Sequence, residues 1–466
     1  METNSISEQN PLGSEKISKL VYKIALPSML AQFVSVLYSI VDRMYVGNIP
    51  EVGNLSLAGV GVCGPIVTMI GAFASWIGIG GTPLMGIALG EGRHERAQKI
   101  LANSFVMLCT ISVAVGAIAA LIREPMLYLF GASDATFPYA EKYFLIYISG
   151  TLFALVSTGM NQFIIAQGYA KTGMLSIVIG AVMNIILDPV FIYIFDMGVS
   201  GAALATIISQ AASASFVVAF LLKKSNVRIT FGGYDISVMG QILKLGLTPF
   251  LIIAVDNVMI ITMNALLQKY GGANGDALIN CNTIVQSFML VLTMPLGGIS
   301  GGTQGIISYN YGACNTERVL KAQKYIFGLC IGYTALLLIA AQIAGGLFAS
   351  LFTQDSELIA DAWRAIKICT SPGIPLGAQY TIVDGFTAMG QVQLALPLSF
   401  WRKLVYFATI IVIPLIFEAD MIFYAETMSD IFGPLVTVPV YLVVIKKLLK
   451  RREDSVNAAH VTAGNN

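Results

Sequence analysis

What this 466-residue sequence has least of is charge: Asp, Glu, Lys and Arg make up 11% of it, against 56% hydrophobic residues. Soluble domains carry about 25% charged residues, so bulk water is excluded as the chain's main solvent. Histidine is nearly absent, with only His94 and His460, both in polar stretches. No imidazole is left for acid–base or metal chemistry inside an apolar run. The six cysteines, Cys63, Cys109, Cys281, Cys314, Cys330 and Cys369, form no C-x-x-C pair, which argues against a zinc site or a disulfide framework and suits small buried residues. There is no G-x-x-x-x-G-K-[ST] to cradle ATP and no H-E-x-x-H for an intramembrane protease. An intramembrane enzyme is therefore a distant reading, and no cofactor is implied. The net charge of +1 gives no electrostatic case for nucleic acid. The amino terminus is polar through about Lys19 and lacks a cleavable signal pattern, so insertion is expected to start at the first helix.

What the chain has instead is apolar length. Mean hydropathy is +0.76, and apolar runs of about 20 residues, each long enough to cross a bilayer, recur throughout. They predict an all-α integral membrane protein with twelve transmembrane helices near 20–45, 57–89, 97–121, 138–166, 173–195, 200–222, 241–269, 278–309, 318–345, 358–388, 394–417 and 426–448. Cytoplasmic loops retain Lys and Arg. With both termini cytoplasmic, the inner segments hold 21 of the 27 basic residues, Arg402 and Lys403 among them, and the outer segments hold 6.

The sequence also repeats itself. Leu26-Pro27 anticipates Thr248-Pro249, Gly80-Gly81-Thr82 anticipates Gly301-Gly302-Thr303, Glu95-Arg96 anticipates Glu317-Arg318, and Ala166-Gln167-Gly168 anticipates Ala388-Met389-Gly390, all at an offset of 221 or 222. Two pseudo-symmetric six-helix bundles follow, entering the membrane from the same side as a parallel repeat. The expected organisation is an N-terminal tail over 1–19, a first lobe over 20–222, a linker over 223–240, a second lobe over 241–448 and a C-terminal tail over 449–466. Such a duplicated bundle suits alternating access around a site near the bilayer midplane.

Ionisable residues inside the spans are expensive and need a partner, water or a task. The candidates are Asp42, Asp188, Asp256 and Asp384, with Asp430 closer to the outer surface. No Lys or Arg is expected deep in a span, and such acids must be protonated, bind a metal ion or face a cation. Asn184 and Asp188 stand four residues apart on one helix face, and Pro189 opens the backbone ladder beside that face. Asp42 is expected in the same outer region of the first lobe. The bland alternative is that these side chains only tie helices together. Asp256 reads as near the midplane of the seventh span and Asp384 as lying in the inner part of the tenth, each open to a site or a structural reading. Glycines and prolines crowd the second and eighth spans, as a moving interface or as close packing. Tyr38, Met160, Phe163, Met259, Phe288, Met289 and Tyr309 are weak candidates for an adaptable apolar cavity.

The run Val41-Asp42-Arg43-Met44-Tyr45-Val46-Gly47 after Pro27, the stretch Asn184 to Tyr193 followed by Met197 to Ala205, and Gly385 to Gly390 together resemble the multidrug and toxic compound extrusion (MATE) family, in its DinF-like and MepA-like branch. The resemblance covers roughly 20–448. It implies a V-shaped pair of bundles and cation-driven antiport of organic cations in a bacterial cytoplasmic membrane, with no obligatory protein partner. It places Asp42, Asn184 and Asp188 on ion-coupling positions, for H+ with Na+ as the other possibility, and Pro27 where the first helix bends. The second lobe departs from the NorM-like branch at Asp256 and Asp384. A flippase for lipid-linked saccharides is the nearest competing function; it would favour a cleft rich in Arg and Lys.

Overall fold

Within a bilayer a peptide group finds no water, so an apolar run must satisfy its own hydrogen bonds, and the helix does so. A computed structural model describes residues 11–50 and 52–464, and among these there are helices and no strands. After a single turn at Pro11–Ser14, the first half runs through α1 (Ile17–Gly47), α2 (Gly53–Gly90), α3 (His94–Leu121), α4 (Phe137–Ser149), α5 (Thr151–Ala166), α6 (Ala170–Pro189) and α7 (Val199–Lys223). The second half runs through α8 (Ile236–Gly271), α9 (Gly275–Gly302), α10 (Gln304–Gly312), α11 (Thr316–Ala349), α12 (Ser356–Thr370), α13 (Gly373–Ala388), α14 (Val392–Ile416) and α15 (Tyr424–Gly464). Among the described residues, ten helical stretches are long and apolar enough to span a membrane, and the pair α4 and α5, bent by 57°, makes an eleventh. The twelfth expected segment is α12 and α13 in series.

The repeat is visible in the helix starts. Gly53 and Gly275, His94 and Thr316, Thr151 and Gly373, and Ala170 and Val392 each begin a helix at a spacing of 222. Two spans drawn as continuous from hydropathy are in fact broken at equivalent places, at Gly150 and at Ser371-Pro372. Hydropathy averages over a window and is blind to direction, whereas Pro372 lacks the N–H that would continue the ladder. The last helix also continues well beyond 448, to Gly464.

The chain divides into two compact units. Of the described residues, the first contains those up to Met29, Gly90–Gly92 and those from Val255 onward; the second contains those of Leu30–Leu89 and Arg93–Ala254. The divisions inside α1 and α8 fall within two turns after a proline, Pro27 and Pro249. In the first unit the N-terminal turn is fastened down: Leu12 is buried, its carbonyl accepts from Asn310 Nδ2 at 3.0 Å and Arg318 Nη2 at 3.1 Å, and Arg318 also donates to the Glu15 carbonyl at 2.8 Å. Arg452, on the extension of α15, pairs with Glu91 and lies over the Tyr311 ring.

In the second unit the start of α8 crosses α2 in near backbone contact. A Cβ on Gly246 would stand 1.7 Å from the Trp76 carbonyl oxygen, and one on Gly80 would stand 2.4 Å from that of Ile242. Only glycine permits this approach. The Trp76 indole closes the crossing by donating to the Leu243 carbonyl at 2.8 Å and stacking on Phe250 at 4.4 Å. Gly78 and Gly81 meet Gly159 and Phe163 in the same way, so these glycines of α2 are packing residues.

Candidate functional site

The second unit brings Asp42, Asn184 and Asp188 together. Asn184 and Asp188 share one face of α6, and Asn184 Nδ2 donates to Asp188 Oδ1 at 3.1 Å and toward Thr206 Oγ1 of α7 at 3.5 Å. Asp188 is completely buried and Asn184 is 3% exposed. Asp42 comes in from α1, its carboxyl against that of Asp188, with Tyr38 and Tyr143 beside it. Tyr147 and Gln210 face each other nearby. Pro189 ends the regular ladder and the chain continues as a π-helical turn, Val190–Ile194, closed by the Phe195 N–H on the Val190 carbonyl at 2.9 Å. From that turn the Tyr193 hydroxyl donates to the Tyr45 carbonyl at 2.7 Å. The end of α1 is thereby tied to the same segment that carries Asp188.

Three oxygens in this pocket are buried without a protein donor: Asp42 Oδ1, Asp188 Oδ2 and Asn184 Oδ1. Arg43, next to Asp42 in sequence, is an exposed side chain. Two carboxylates in such a space repel unless a proton or a cation stands between them. The donor set of carboxylate and amide oxygens suits a proton or a hard monovalent cation.

The first unit holds a second charged cluster, and here the sequence expectation needs correction. Arg402 and Lys403, expected toward the cytoplasmic side and not deep in a span, stand near the middle of α14, a 25-residue apolar helix. Asp256 of α8 pairs with Lys403. Asp430 is fully buried, and is bound by Arg402 Nη1 at 2.5 Å, with Glu426 3.8 Å from the same guanidinium nitrogen. Asp256, Glu426 and Asp430 therefore have basic partners, because the apolar helix carries the bases to the acids. Glu426, at the start of α15, was not singled out from sequence, and neither were Arg402 and Lys403; two adjacent bases inside an apolar run were the available signal.

Asp384 on α13 lies apart from these ion pairs, half-buried beside Ser300 and Gln304 of α9 and α10. Of the expected cavity residues, Tyr38 is half-buried next to Asp42, while Met160, Phe163, Met259, Phe288, Met289 and Tyr309 are buried. Phe163 packs on Gly81, Phe288 packs edge-on to Phe348 at 5.1 Å, and Tyr309 sits on α10 near Arg318. These six contribute to the packing of their own units.

A duplicated bundle of membrane-spanning helices with charged groups buried at depth is an architecture of membrane transporters. Comparison with known proteins agrees. The MatE family profile matches residues 27–190 and 253–408. Multidrug export protein MepA of Staphylococcus haemolyticus is 23% identical over 80% of this chain and 82% of its own length. Its namesake in Staphylococcus aureus is 24% identical over the same shares. A crystal structure of MATE in complex with MaL6 superposes with a TM-score of 0.88 at 21% identity, covering 94% of this chain and 99% of that one. The chain belongs to the MatE family. It is a multi-pass membrane transporter and not an enzyme.

Proposed function

We propose that this transporter exports amphipathic organic cations in exchange for an inward-moving ion, with Asp42, Asn184 and Asp188 as the ion-coupling site. The observation that carries the reading is the contact of two carboxyls from different helices, with three buried oxygens that no protein group satisfies. The staphylococcal relatives are named multidrug export proteins, which supports the export of drug-like small molecules. In the proposed cycle, cargo enters from the cytoplasm or the inner leaflet, and the protein turns to face outward. An external ion then occupies the Asp42–Asp188 pocket, removes the repulsion between the carboxyls and lets α1 repack, which favours release of the cargo.

The driving force is adequate. One charge crossing 100 mV supplies about 2.3 kcal/mol, and each pH unit about 1.4 kcal/mol. Two protons exchanged for one monovalent cargo are thus downhill. H+ is the favoured ion and Na+ fits the same oxygens. The membrane assigned is the bacterial cytoplasmic membrane, with both termini inside. The lipid-linked saccharide reading loses ground, because Arg402 and Lys403 are neutralised by Asp430 and Asp256 and offer no free basic surface to a polyphosphate.

The test uses everted vesicles from an efflux-deficient bacterium, a fluorescent cation and an imposed pH or Na+ jump. Asp188→Asn is expected to abolish gradient-driven transport while the protein stays in the membrane. Wild-type rates in that variant would remove α6 from the coupling scheme.

A further inference from the structure

The ion-coupling scheme gives no task to the charged cluster of the first unit. Its charges do not balance: Asp256, Glu426 and Asp430 supply three carboxyls, and Arg402 and Lys403 two bases. The two bases are held differently. Arg402 is gripped by Asp430 and Glu426, and its stem packs on Gly433. Lys403 has one ion-pair partner, Asp256, and a flexible four-carbon stem, where an arginine would present a rigid fork. The members of that pair also differ in access: the Asp256 side chain is 40% exposed and that of Lys403 13%. A particle approaching the pair meets the acid first.

Glu426 and Asp430 are close enough for the charge of Lys403 to act on both. Asp430 Oδ2 is fully buried and has no donor. Tyr380 and Tyr406 border the cluster, with Asp384 facing Tyr380.

We propose that Asp256 is a binding subsite for the positively charged group of a monovalent organic cation, and that Lys403 is a built-in competitor which fills it when no cargo is present. An arriving cation displaces Lys403 Nζ, which turns toward the unsatisfied oxygen of Asp430. With the cargo bound, three negative charges face three positive ones and the buried cluster is neutral. A dication would overshoot. Lys403 thus sets both affinity and preference for single charge. This inference rests on the reading of the protein as an exporter of organic cations.

The experiment is equilibrium binding of ethidium to the purified full-length protein in detergent, with no gradient. Removing the competitor in Lys403→Gln is expected to tighten binding about tenfold, and removing the subsite in Asp256→Asn to weaken it about tenfold. Lys403→Arg, which preserves the ion pair and the fold but grips the acid with a fork, is expected to weaken binding severalfold. Unchanged or weaker binding in Lys403→Gln, or wild-type binding in Asp256→Asn or Lys403→Arg, overturns the proposal. If Lys403→Gln does not fold, the other two variants decide. Absence of ethidium binding in the wild type would instead sink the cation-exporter reading as a whole.

Discussion

Buried charge is the recurrent theme at the scale of single residues, and the two units handle it in opposite ways. Among the described residues the acids around Asp188 form no ion pair, with Arg43 acting on Asp42 only from an exposed position, whereas Asp430 is bound directly by Arg402. Removing one member of a buried ion pair leaves the other stranded, which costs about 3–5 kcal/mol. Arg402→Gln should therefore lower the melting temperature of the detergent-solubilised protein strongly, and the double variant Arg402→Met with Asp430→Leu should recover most of the loss. An equal loss in the double variant would show that packing, not charge, is the main contribution of this pair. How legible these residues were depended on spacing. Asn184 and Asp188 could be paired from sequence because four residues make one helical turn, and the pairing of a helix face is local. Asp256 with Lys403 joins positions 147 apart, a contact that only the tertiary fold decides. Counting Arg402 and Lys403 with the cytoplasmic-side bases hid it further.

At the scale of helices, glycine and proline divide the labour. Gly246 allows α8 to lie against α2, so Gly246→Ala should push the two apart and reduce the yield of folded protein. Gly61→Ala, also on a long helix but with nothing within 4 Å of the new methyl, should leave yield and melting temperature unchanged or slightly raised. Size-exclusion profiles and thermal melts of the two variants check this. The helix inventory itself was readable, since runs of 20 apolar residues have few alternatives in a bilayer. The breaks at Gly150 and Pro372 were not read, because hydropathy averaged over a window carries no direction. Nor was the π-helical turn after Pro189, although the proline that starts it was noted; a missing N–H announces a disturbance without saying which hydrogen-bond register follows.

At the scale of the whole molecule, the duplication seen in scattered dipeptides reappears as a constant 222-residue spacing of helix starts. Charge asymmetry survives the relocation of Arg402 and Lys403 to the middle of α14, leaving nineteen bases in the proposed inner segments against six in the outer. The sequence repeat and the compact units are nevertheless different partitions of the chain. The repeat divides it in the loop after Lys223, whereas the contacts assign the opening of α1 to the unit made mostly of later residues, and the opening of α8 to the unit made mostly of earlier ones.

That exchange of leading segments bears on how the protein can be cut. A break in the polar stretch between Lys224 and Asp235 would give two fragments, each carrying a piece the other needs and each short of a piece of its own. Made separately in cells, both should be degraded. Made together, they should find one another, resist protease and restore dye efflux, as two hands clasped by the thumbs hold without a cord between the wrists.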